Sequence, residues 1–324
     1  MEQNNIKKNW KIVMLPRLQV DAIISCFLLQ YFGEDRFTGI RDAEYLFWID
    51  LPESKNAAEL EAQGHILLDI GGSIFDHHAV NEGMRERCMS EMVAKYLGID
   101  KNPAIKKLLE YARRDDLEGK GTLSKDPIDR AFGLSGLINN LNRSLPDDQG
   151  VVLKTVMPLF VAHYVEEKKR AEDLPAEYEE KSASGKAGVF TLQTARGPVK
   201  IATIETDEIA MAGYLRAQRG IDIVIQKMSS GHINIITQQK KMFDLSVIAK
   251  FLRIAESEEK GIKLAISEND LAQPGRVAGV EEWYFDPRAR TLQNGGIRPQ
   301  WTKPTALSLS TVSEIVRQAA IIKL

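Results

Sequence analysis

The chain has little cysteine: Cys26 and Cys88 are the only two among 324 residues. So few cannot form a disulfide framework or an all-thiolate zinc site, and their scarcity fits a reducing cytoplasm. Both lie in apolar stretches of helical pattern, and neither has a histidine beside it. There is no Gly-x-Ser-x-Gly and no phosphate-loop signature, so a serine or cysteine nucleophile has no support. No apolar run approaches the roughly 18 residues of a membrane span. The opening "MEQNNIKKNWKIVML" lacks the apolar segment and cleavage site of a secretory signal. The expectation is a cytoplasmic protein without a membrane partner. An excess of one charge is also missing, since 43 Lys and Arg face 45 Asp and Glu, a formal net charge of −2. That leans against a long nucleic-acid duplex but leaves room for a small or short anion. The four tryptophans are scattered; Trp283 and Tyr284 could stack on a base, but aromatic strand residues more often belong to a core.

What is present is organised as two different halves. "KIVML" (11–15), "EYLFWID" (44–50) and "HILLDI" (65–70) are short apolar runs separated by helical patterns at 21–32 and 54–64. Near-continuous apolar strands alternating with helices predict an α/β fold: a mostly parallel sheet with helices on both faces. Helical patterns follow to about residue 165. Residues 166–186, "EEKKRAEDLPAEYEEKSASGK", are charged and then small, and read as a helix end and linker. From 187 to 324 the pattern predicts a smaller α/β domain, with hairpins in "GVFTLQTARGPVKIATIET", "IDIVIQKMSSGHINIITQ" and "EEWYFDPRARTLQNGG". A last helix starts near Ser310, with Glu314 placed to cap Thr311.

The chemistry concentrates at the ends of the early strands. Functional loops leave the carboxyl ends of parallel strands, so residues after different strands converge. Asp21 follows the first strand, Asp69 ends the third, and Asp76-His77-His78 come shortly after Gly71-Gly72. Asp115-Asp116 close a helix before a glycine-containing loop. Each has a bland reading: Asp21 as a helix cap, Asp115-Asp116 as a solvated helix end. Asp69 is harder to dismiss, because a buried carboxylate without a partner is costly. Together the carboxylates and imidazoles form a mixed oxygen and nitrogen donor set suited to Mn²⁺ or Mg²⁺.

"VDAIISCFLL", "LLDIGG" and "FDHH" together resemble the DHH phosphoesterase superfamily, most closely its exonuclease branch, over about the first 145 residues. "LSGLINNLN" (134–142) is similar to a family helix, and "SSGHINIITQQ" more loosely to its substrate-gripping C-terminal domain. The resemblance implies one or two metal ions held by Asp21, Asp69, His77 and one of Asp115 and Asp116, with Asp69 bridging if there are two. It implies that Asp76 orients His77, and that His78 contacts the scissile phosphate or protonates the leaving oxygen.

The departures are specific. Leu15 and Gln19 stand where many such enzymes carry further ligands; Gln19 offers a carbonyl oxygen to metal or substrate, Leu15 nothing. The usual C-terminal glycine-rich motif is missing. His232, after Gly231, and Asn294, Gly295, Gly296 and Arg298 are candidates for its role, with a hairpin turn at Asn294-Gly295 as the alternative. Arg114 could pair with the neighbouring acids or hold a phosphate. His65 reads as structural, and His163 as a packed or surface histidine. The sequence therefore predicts a metal-dependent phosphoesterase acting on a small nucleotide or a short single-stranded oligonucleotide held between the domains, possible as an oligomer. The rivals are a nucleotide-binding protein that has lost the chemistry and, less favoured, a pyrophosphatase.

Overall fold

Ile12, Val13 and Met14 alternate between two apolar layers, and that alternation sets the architecture around the first sheet. The computed structural model describes residues 9–78, 87–295 and 301–323. It divides into two units, Met1–Ala171 and Glu172–Leu324. The first sheet has three parallel strands, β1 (Lys11–Met14), β2 (Glu44–Phe47) and β3 (His65–Leu67), in the order β2-β1-β3.

Helix α1 (Val20–Phe32) connects β1 to β2, and α2 (Ala57–Ala62) connects β2 to β3. Ile12 and Met14 pack with Ile24, Phe27 and Leu28 of α1 in the larger core. Val13 packs on the other face with Leu60 of α2, Leu67 and Ile70. Both faces are thus covered, as the apolar strands require. Asn56 and Glu59 form a reciprocal capping box at the start of α2, and Gly64, at φ 90°, turns the chain after it into β3. The larger core is completed by α3 (Met89–Leu97), α4 (Lys106–Asp116), α6 (Leu134–Ser144) and α7 (Gln149–Lys168); the short α5 (Pro127–Ala131) buries no residue. Cys88 is the residue before α3 rather than inside a helix, and both cysteines are buried.

The segment expected as a linker is helical: α7 runs to Lys168, a π-helical turn covers Lys169–Asp173, and α8 spans Leu174–Ala183. Its charges lie along these helices, and the division between the two units, Ala171 to Glu172, falls within the segment.

The second unit carries the larger sheet, built from β4 (Ala187–Thr194), β5 (Gly197–Glu205), β6 (Ile223–Lys227), β7 (Ile233–Thr237), β8 (Tyr284–Asp286) and β9 (Thr291–Gln293). Its order is β4-β5-β6-β7-β9-β8. Only β5 and β6 are parallel, joined through α9 (Met211–Gln218), so the sheet is mixed. One face packs Ile201, Ile223, Ile225 and Ile235 under α10 (Ser246–Glu259) and α11 (Leu309–Lys323).

Two buried charges organise this half. Arg253 donates to the carbonyls of Leu271, Gln273, Gly275 and Trp283, and Glu256 accepts from Trp283 Nε1 and the Ala306 amide. Trp283 is therefore a core residue with no face free for a base. Ser308 caps α11 by accepting from Thr311 N, while Glu314 bonds Gln318, so the expected Glu314 cap is replaced. Among the described residues no helix is long and apolar enough to cross a membrane.

Candidate metal centre

With β1 central, the chain departs from its carboxyl end toward β2 while β3 lies on the other side. The crevice beyond such a switch point is where open parallel sheets bind ligands. Two loops meet there. The first, Leu15–Gln19, is clamped from far along the chain. Arg17 adopts φ 64°, and the amides of Arg17 and Leu18 both donate to Gln149 Oε1, at 2.9 and 3.2 Å. Asn142 Nδ2 donates to Leu18 O at 2.8 Å. Gln19 precedes α1 without capping it by its side chain.

The second loop answers why an apolar strand ends in Asp-Ile-Gly-Gly. Asp69, Gly71 and Gly72 all take left-handed backbone angles, φ 63°, 68° and 70°, which reverse the chain tightly. A Cβ at Gly71 would come within 2.4 Å of Leu51 Cδ1 and displace that side chain, while the left-handed backbone is what calls for glycine there. Asp76 then closes the loop by accepting from Gly72 N at 2.8 Å and His78 N at 2.9 Å. Its carboxylate therefore shapes the backbone, and the expected contact with the His77 ring is not made.

The reversal brings both histidines back against Asp69. His77 Nδ1 lies 2.9 Å from Asp69 Oδ1, and His78 Nε2 lies 3.4 Å from Asp69 Oδ2. One donor atom from each of Asp69, His77 and His78 lies within 4.8 Å of the others. On the other edge of the His77 ring, Nε2 lies 3.5 Å from Asp116 Oδ2. Asp116 thus faces the centre, whereas Asp115 turns away and accepts from Ser135 Oγ at 2.6 Å. His78 keeps 70% of its side chain exposed, and His77 is buried.

Asp21 has a different partner. Its carboxylate oxygens accept from the amides of Met89 and Ser90, at 2.8 and 2.9 Å, so it caps α3 across a sequence distance of 68 residues. It borders the same cavity, of about 350 Å³, as Leu15, Arg17, Gln19, Asp69, His78 and Asp116. The gathered group is nevertheless Asp69, His77 and His78, and Asp21 is committed to the helix.

Burial pushes the Asp21 carboxyl up to about 6. Burial likewise raises Asp116, against the pull of His77. His77 is raised above the usual imidazole range, first by the adjoining Asp69 carboxylate and then, against burial, by Asp116 and Asp21. The 2.9 Å approach of His77 to Asp69 is not aligned as a hydrogen bond: Asp69 Oδ1, His77 Nδ1 and Asp116 Oδ2 are all buried without such a partner. We read it as a charge contact. Buried polar atoms that face one another without satisfying one another fit a site for a cation, and carboxylate with imidazole is an appropriate donor set.

The other expected binding residues lie elsewhere or are consumed. Arg114 donates to Lys120 O, sits over the Tyr111 ring, and lines a separate cavity of about 760 Å³ together with His163. His232 is tied through both ring nitrogens, to Ser230 Oγ and Thr302 O. The Asn294 side chain donates to Glu282 O and Lys303 O and accepts from Ile233 N and Thr305 N, leaving nothing for substrate. Gly295 follows it at φ 75°, and the turn between β8 and β9 lies earlier, where Asp286 accepts from Arg288 N and Ala289 N. Gly296 and Arg298 lie outside the described residues.

Arg17 and Gln149 were missed in the sequence. Arg17 had a faint signal, a cation between the first strand and Asp21; Gln149 had none. No protein-family model matches the chain, and no curated protein sequence matches it either.

Proposed function

We propose that this protein is a metal-dependent phosphoesterase that hydrolyses a phosphodiester in a small nucleotide or short oligonucleotide. The observation that carries the reading is the convergence of Asp69, His77, His78 and Asp116 at the switch point, with buried donor atoms left unsatisfied. Asp69, His77 and His78 would hold the ion, Mn²⁺ or Mg²⁺, with Asp116 on the far edge of His77. A divalent ion bound there acidifies water and offsets charge on the phosphoryl oxygens. Because Asp21 is engaged with α3, the reading favours one ion over two.

The chain's own groups account for the rest. Arg17 is exposed, makes no ion pair among the described residues, and borders the cavity beside the start of α1. A cation and a helix N-terminus with no side-chain cap both favour a phosphate. His78, the exposed member of that donor set, is the ligand that a substrate would meet. Asp76 holds the backbone that carries both histidines.

A nucleotide-binding protein without turnover is the second reading. Leu15, 37% exposed on the cavity wall, and the engagement of Asp21 favour it. Hydrolysis of dinucleotides and short RNA and DNA oligomers by chelator-stripped protein, with Mn²⁺ restored, separates the two. Metal-dependent cleavage abolished in His77→Ala supports the phosphoesterase. Nucleotide binding without cleavage in the parent supports the rival.

A further inference from the structure

Asp116 Oδ2 is buried without a hydrogen-bond partner among the described residues, so nothing fastens directly the oxygen that faces His77. Its aim must come from the helix that carries it. Consecutive helical residues project about 100° apart, so the rotation of the last turn of α4 decides which of two adjacent aspartates faces the centre.

That rotation is fixed from the opposite side. Ser135, in the first turn of α6, donates through Oγ to Asp115 Oδ1 at 2.6 Å. The same Oγ lies 3.0 Å from the hydroxyl of Tyr111, one turn earlier on α4, and Ser135 N donates to that hydroxyl at 3.3 Å. One residue of α6 therefore grips two side chains on a single face of α4. Gly121 closes over the grip: a Cβ there would lie 2.2 Å from Asp115 Oδ1 and 2.3 Å from Ser135 Oγ. The hydrogen bonds between Arg114 and Lys120 return the chain after α4 but reach neither carboxylate.

We propose that Ser135, packed beneath Gly121, is a positioning residue for the metal centre: by holding Asp115 it sets the last turn of α4 and keeps Asp116 turned toward His77. The assignment rests on the metal-centre reading above. It gives distinct roles to two neighbouring acids, Asp116 against the outer edge of the His77 ring and Asp115 as the handle by which the helix is held. Groups that orient metal-site side chains typically contribute 10- to 100-fold in affinity.

The test is Mn²⁺ titration calorimetry on the chelator-stripped full chain, with urea unfolding of each metal-free variant alongside. Asp116→Ala is expected to weaken binding. Ser135→Ala and Gly121→Ala should each raise Kd roughly 10-fold, and Ser135→Thr, which keeps the hydroxyl, should stay near the parent. Gly121→Ala retains the serine and attacks the same contact from the other side, so the idea does not depend on one variant folding. If Ser135→Ala and Gly121→Ala bind like the parent while Asp116→Ala is weakened, the positioning role is overturned and the metal centre stands. If the parent fails to bind Mn²⁺, both readings fall; if Asp116→Ala binds unchanged, the positioning role is overturned and the Asp69, His77 and His78 centre stands. If Ser135→Ala is weakened and Ser135→Thr does not restore binding, the loss belongs to packing and the positioning role is overturned.

Discussion

Asp21→Asn tests the electrostatics of the crevice without altering its shape. The Asp21 carboxyl is raised from 3.8 to about 6, first by burial. A folded value above the unfolded one means that the folded state holds the proton more tightly. Its contribution to stability is therefore full below the unfolded value and is lost as pH rises through the folded one. The whole swing is about 3 kcal/mol, at 1.36 kcal/mol per pKa unit. Between about pH 4.5 and pH 7.5 the portion lost is about 2 kcal/mol. Asparagine cannot ionise, so the parent should lose about 2 kcal/mol relative to Asp21→Asn across that interval. Groups common to both proteins cancel in the difference. Urea unfolding of both metal-free proteins at the two pH values measures it. A difference that stays constant within about 0.5 kcal/mol would refute the claim that this carboxyl is buried and raised.

Three further outcomes follow from the same contacts. Because His77 is raised by Asp69, Mn²⁺ must displace its proton, so Kd should rise as pH falls and titration heats should vary with the ionisation enthalpy of the buffer; identical heats would contradict this. Gln149→Leu removes the acceptor shared by the Arg17 and Leu18 amides and should cost about 1–3 kcal/mol in urea unfolding. Arg253→Met strands four carbonyls around a buried position and should cost more than about 3 kcal/mol, with a red shift of tryptophan fluorescence as Trp283 loosens; an unshifted spectrum in a protein of parental stability would sink that account.

Local patterns in the sequence carried much of this structure. The strands of the first sheet and the hairpins β4–β5, β6–β7 and β8–β9 follow from apolar runs punctuated by turn residues. The cluster after β3 was legible as a set of candidate ligands, because Asp69, Asp76, His77 and His78 follow one apolar strand; the left-handed reversal that gathers them was not. What stayed hidden depends on distant partners. Asp21 has the position of an ordinary helix-opening acid, yet it caps a different helix. The choice between Asp115 and Asp116 is made by Ser135, which no spacing rule connects to either. His232 looked available because the Thr302 carbonyl that engages it comes 70 residues later, and Asn294 because its Ile233 partner lies 61 residues earlier. The charged stretch after Val165 was ambiguous through composition, since a solvated helix and a tether share the same residues.

The clamp of Gln149 on the Arg17–Leu18 backbone spans 132 residues in sequence and has a consequence for synthesis. All three strands of the first sheet and every residue proposed to hold the ion precede Gln149 by at least one helix. A nascent chain that has emerged through Asp116 carries the whole ligand set, but the two amides of the opening loop still lack their acceptor. In chain order the proposed ligands therefore precede the residues that set their surroundings, Ser135 and Gln149. Until α7 leaves the ribosome, the loop that faces these acids and imidazoles lacks the side chain that fixes its backbone.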